Sequence, residues 1–68
     1  MSIYNKQIGG THYKKMKIQP AQFINEYDLP FAEGNAIKYI CRHRHKGEVQ
    51  DLEKAKHYID MIIERDYK

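Results

Sequence analysis

The alternation of apolar and polar side chains divides the chain at residue 19. Residues 1–19 carry no clear period. Ile3, Ile8, Met16 and Ile18 stand as isolated apolar points, and Gly9-Gly10 marks a reversal or close approach ahead of Thr11-His12-Tyr13-Lys14-Lys15. We read this segment as an N-terminal arm and residues 20–66 as a helical core. Pro20 suits the first position of a helix, where its missing N–H costs nothing. Phe23, Ile24 and Tyr27 then give a short amphipathic helix ending near Asp28. Pro30 disfavours helical geometry at Leu29 and opens a second helix, from Pro30 or Phe31 to about His45. Lys46-Gly47 stops it, with glycine in the capping region. A third helix runs from about Val49 to about Asp66, with Leu52, Ala55, Ile59, Ile62 and Ile63 as its apolar stripe and Asp51, Lys54 and Tyr58 on a second face. So short a connection makes helices two and three an antiparallel hairpin.

The second helix carries the most pronounced division of faces. Within GNAIKYICRHRHK, residues three and four apart share a side. Gly34, Ile37, Ile40, Cys41 and Arg44 fall together, apolar but for the arginine. Asn35, Lys38, Tyr39, Arg42 and Lys46 fall opposite. This second stripe holds three cations, an amide and a phenol, with no acidic member to pair with. Lysine supplies a mobile point charge and arginine a planar, two-pronged donor, so the stripe fits a phosphate. A solvated outer face is the plainer reading. Gly34 inside the first turns costs about 1 kcal/mol relative to alanine, which makes sense where a backbone or ligand comes very close. His12-Tyr13 after the paired glycines is a weaker anion-binding signal.

At 68 residues the chain is one small domain, and a core of this size supplies only roughly 3–5 kcal/mol. The single cysteine, Cys41, excludes an internal disulfide and reads as a small buried hydrophobe. Self-association is the remaining source of stability. The net charge of +3 favours anionic partners without amounting to a polybasic arm. No apolar run approaches the roughly 20 residues of a membrane span, and the N-terminus lacks a signal-peptide apolar region, so we expect a soluble intracellular protein. Cys41 and His43 are two apart on a helix and point away from each other, as do His43 and His45, so neither pair shares an ion and we expect no zinc site from them and His57. There is no GxxxxGK[ST] or GxGxxG loop, and Ser2 is the only serine, which excludes a Ser-His-Asp arrangement. An enzyme built on this chain would assemble its site from several subunits.

IGGTHYKKMKIQP, FINEYDLPFAEGNAIKYICRHRHKG and DLEKAKHYIDMII together resemble the small phage domain family DUF3310, over about residues 8–63. The shared pattern is HY, then I-x-P, then GN-x-IKY-x-x-R, then DL-x-KA-x-x-Y. It falls here on His12, Tyr13, Gly34, Asn35, Lys38, Tyr39, Arg42, Asp51, Lys54 and Tyr58. The family includes the nucleotide kinase of T7-like phages, which phosphorylates deoxynucleoside monophosphates without a Walker-type loop and assembles as a large oligomer. The resemblance therefore implies a phage protein in the cytoplasm of an infected bacterium, a nucleotide ligand and a homo-oligomer. This chain is the bare domain, without the extra region of the longer kinase members.

The expectations are as follows. The fold is all-α: a short helix, a two-helix hairpin and an N-terminal arm, homo-oligomeric. The protein binds and sequesters a phosphorylated nucleotide, such as a host-defence signal, and needs no cofactor to do so. Lys38, Arg42 and Lys46 hold phosphate, Asn35 contacts base or sugar, and Tyr39 or Tyr13 stacks, with His12 near the ligand. The alternative is a monophosphate kinase acting on dGMP or dTMP with ATP and Mg²⁺, for which His12 and Asp51 are the catalytic candidates. A nucleic-acid-binding accessory protein ranks last, because no base-reading motif is present.

Overall fold

The computed structural model describes residues 17–68, and the expected arm positions His12 and Tyr13 lie outside them. Three helices follow in order, α1 Pro20–Glu26, α2 Phe31–Arg42 and α3 Val49–Tyr67, with no strand among the described residues. The all-helical expectation holds, with shifted ends.

Helix α1 begins with Pro20 at its first turn, as its chemistry dictates. It ends two residues before the expected Asp28. Asp28 adopts a left-handed φ of 52°. Its N–H donates to Asn25 O at 3.1 Å, and Leu29 N–H donates to Ile24 O at 3.0 Å. This paired closure of the last carbonyls normally takes glycine; aspartate is among the few residues that tolerate the conformation.

Helix α2 starts after Pro30 and stops at Arg42, three residues short of His45. The N–H groups of His45 and Lys46 both donate to the Arg42 carbonyl, at 3.0 and 3.1 Å, and Glu48 N–H donates to His43 O at 2.8 Å. Residues 43–48 form the turn into α3. Gly47 was expected to supply the left-handed cap, but the positive φ falls on Glu48, at 51°. Gly47 serves a different need: a Cβ there would collide with the Asp51 carboxylate.

Helix α2 is the middle element, packing along α3 and more briefly against α1. Arg42 at its end meets Asp51 near the start of α3, while Glu33 near its start meets Arg65 near the end of α3. The two helices are therefore antiparallel. Apart from Pro20 on α1, the buried apolar side chains of the described residues are alanines, Ala32 and Ala36 on α2 and Ala55 on α3. Such small side chains let backbones approach closely, since interhelical distance follows the side chains at the contact.

Two expected faces are corrected by this packing. On α2, Gly34, Ile37 and Cys41 turn towards α1. A Cβ at Gly34 would lie 3.0 Å from Ile24 Cγ2, so the close approach there is to a side chain of α1. Ile37 and Cys41 line an open apolar groove of about 300 Å³ with Ile18, Pro20 and Phe23. Ile40 and Arg44, expected on the same packed side, are exposed. On α3 the helix is rotated from its expected setting. Asp51 and Ala55 are buried, Tyr58 and Ile62 are half-buried, and Leu52, Ile59 and Ile63 remain exposed. The face of α3 that meets α2 thus combines Ala55 and Ile62 of the expected stripe with Asp51 and Tyr58 of its second face.

Candidate anion-binding site

The site forms where the polar stripe of α2 meets that second face of α3. Arg42 Nε donates to Asp51 Oδ2 at 3.0 Å and Arg42 Nη2 to Asp51 Oδ1 at 3.2 Å, a two-pronged pair. Gly47 N–H donates to the same Oδ2 at 3.0 Å. The Asp51 side chain is only 1 % exposed and that of Arg42 17 %. A carboxylate so enclosed must be fully bonded to remain ionised, and these three donors do that. The Arg42 guanidinium, and secondarily the Gly47 N–H, hold the Asp51 carboxyl below its ordinary value despite burial.

This pair corrects the expectation that the cationic stripe lacks an acidic partner. The carboxylate comes from the next helix, outside the reach of any single-helix period. The arginine is therefore first a structural partner of Asp51. Asp51, a catalytic candidate in the sequence, is enclosed and shared between Arg42 and Gly47.

Around the pair stands a group of aromatic rings and further cations. Tyr39 stacks on Tyr58 with centroids 5.9 Å apart and planes within 9°. Phe31 meets Tyr58 edge-on at 5.8 Å. Arg42 lies over the Tyr39 ring at 4.6 Å, Lys38 Nζ at 4.8 Å and Lys54 Nζ at 5.3 Å. The ring's negative face attracts each cation, an attraction that is modest where water has access. The cations in turn repel one another.

Neither Lys38 nor Lys54 forms an ion pair with a carboxylate among the described residues. All nine acidic residues of the chain lie between Glu26 and Asp66, so residues 1–16 bring no carboxylate to either. From Lys17 onward, basic and acidic side chains are equal in number, nine of each, because Lys6, Lys14 and Lys15 precede the described region. Three cations against one carboxylate at Tyr39 is thus a local concentration of positive charge on a helical body that is balanced only as a whole.

The structure brings together Lys38, Tyr39 and Arg42 of the expected stripe, with Asn35 one turn before Tyr39. The Asn35 Nδ2 donates to the Phe31 carbonyl at 3.1 Å. Lys46 is placed differently: helix α2 has ended, so the helical spacing that aligned it with Arg42 does not apply, and its side chain is exposed in the turn. Lys54 and Tyr58 were legible only as a second face of α3 and as motif positions. Phe31 carried no signal beyond its place at the head of α2.

Other chemistry-bearing groups stand apart. Cys41 is half-buried, and burial pushes its thiol pKa up, which suits the expected small hydrophobe. Arg65 binds Glu33 and Asp66 on an exposed flank. No cluster of three or more His, Cys, Asp or Glu is placed to hold a metal among the described residues. No helix among them is long and apolar enough to cross a membrane.

Across the described residues, fold and site together define a helical unit with a cationic, tyrosine-lined surface on one side of a hairpin. The chain belongs to the family described as "protein of unknown function (DUF3310)", whose model matches residues 8–60. Searches of curated proteins and of solved structures each returned no match.

Proposed function

We propose that the protein binds and sequesters a phosphorylated nucleotide, with the phosphate seated between Lys38 and Lys54 beside the Tyr39 ring. The observation that carries this reading is the crowding of three cations around one ring with a single carboxylate among them. An anion entering there relieves the repulsion between Lys38 and Lys54 and gains charge-assisted hydrogen bonds from both. Arg42 is fixed by Asp51, so it contributes position and field. Its resemblance to a family with a phage nucleotide kinase supports a phage protein acting in an infected cell. The exposed Leu52, Ile59 and Ile63 support a homo-oligomer.

A monophosphate kinase is the second reading and ranks lower. A phosphoryl transferase needs groups to hold a metal and orient the acceptor. The acid nearest the cations, Asp51, is bound to Arg42 and Gly47 instead.

Calorimetry with deoxynucleoside monophosphates tests the proposal. Lys38→Ala and Lys54→Ala should each weaken binding about tenfold, the scale of one lost hydrogen bond to a charged group. Equal affinity in the double variant removes the site. Incubation with ATP, Mg²⁺ and a monophosphate separates the readings: unchanged ligand supports sequestration, and diphosphate product supports the kinase.

A further inference from the structure

We propose that Phe31 is the platform on which the base of the nucleotide stacks, making it the residue that selects nucleotides over simple phosphates. This rests on the anion site at Lys38 and Lys54. Phe31, Asn35, Lys38 and Arg42 follow at helical spacing, so the cationic stripe begins with an aromatic ring at the first residue of α2. That ring is 75 % exposed, although phenylalanine has no polar atom to repay water contact. It is held edge-on against Tyr58, which in turn stacks on Tyr39.

With Tyr39 and Tyr58 half-buried, Phe31 is the most exposed ring of this array. Tyr39 and Tyr58 already turn a face to each other. Two centroid steps of 5.8 and 5.9 Å connect Phe31 through Tyr58 to the ring that carries the lysines, which puts base and phosphate subsites on one ring array. Asn35, one turn after Phe31 and tied to its carbonyl, stands between them. One open platform takes one base. A surface that tracks a strand presents successive stacking rings along a basic groove, so a mononucleotide fits better than a single strand.

The test compares dGMP with deoxyribose 5-phosphate, which has the sugar and phosphate without the base, on wild-type protein, Phe31→Ala and Phe31→Trp. Stacking on one aromatic ring is worth roughly tenfold in affinity. Phe31→Ala should therefore lose about that factor for dGMP and none for the sugar phosphate, and Phe31→Trp should restore it. Unchanged dGMP affinity in Phe31→Ala, with wild-type binding intact, overturns the platform and leaves the anion site standing. Wild-type protein that binds neither probe overturns both. An oligonucleotide binding far more tightly than dGMP, with strong salt dependence, overturns the mononucleotide assignment. The exposed position of Phe31 keeps the alanine variant folded, which circular dichroism verifies.

Discussion

Gly47 and Asp51 show how one contact decides several residues. The carboxylate is enclosed, so each of its oxygens must find a donor. The Gly47 N–H can reach it only because no side chain intervenes. Gly47→Ala should lower stability by at least about 1 kcal/mol, or roughly 4–8 °C of melting temperature, since either the turn or the carboxylate must move. Acid should act through the same contact. The Asp51 carboxyl is held below its ordinary value of 3.8, first by Arg42, so the native state favours the ionised form. Its contribution is complete above that value and is lost as pH falls below it, towards the depressed folded value. Asp51→Asn should be less stable at neutral pH and show a shallower loss as pH falls below about 4. Equal acid limbs in the two proteins, followed by far-ultraviolet circular dichroism, would remove Asp51 from this role.

The elements were more legible than their contacts. Pro20 and Pro30 set the starts of α1 and α2 because proline chemistry is local. The end of α2 was misplaced for a tertiary reason. Gly47 looks like a cap, yet the space it leaves is taken by Asp51 and the left-handed step passes to Glu48. Glu48 has φ 51° and ψ −130°, a region that glycine enters freely and other residues reach at about 1–3 kcal/mol. Glycine costs about 0.5–1 kcal/mol in chain entropy. Glu48→Gly should thus be neutral to about 2 kcal/mol stabilising, read as a raised denaturant midpoint with unchanged slope. The setting of α3 was hidden for another reason. Leu52, Ile59 and Ile63 outrank Asp51 and Tyr58 in hydrophobicity, so periodicity centres the stripe too far round from the packed face that Ala55 and Ile62 share. A buried acid becomes comprehensible only once an arginine from another helix is in place. The site was half legible for the same cause: Lys38, Tyr39 and Arg42 share one helix, whereas Lys54 and Tyr58 arrive by packing.

For the molecule as a whole, the alanine contacts leave an imbalance. Ala32, Ala36 and Ala55 bury little area each, while Ile40, Leu52, Ile59 and Ile63 stay exposed. Leu52, Ile59 and Ile63 recur at seven and four residues, so they form one continuous strip along α3. At about 25 cal/mol per Å² of apolar area, covering such a strip adds to the little that a core of this size provides. Homo-oligomerisation through this strip would leave the Tyr39 surface open, because Lys54 and Tyr58 lie on a different side of α3. Sedimentation should then give a mass that is a multiple of 8.2 kDa, and a melting temperature that rises with protein concentration. Ile59→Glu with Ile63→Glu should reduce that mass towards a single chain and lower the melting temperature. It should spare any nucleotide affinity that survives in the folded fraction. A wild-type particle of one chain, with melting independent of concentration, would mean that the hairpin stands on its alanine seam and ion pair alone.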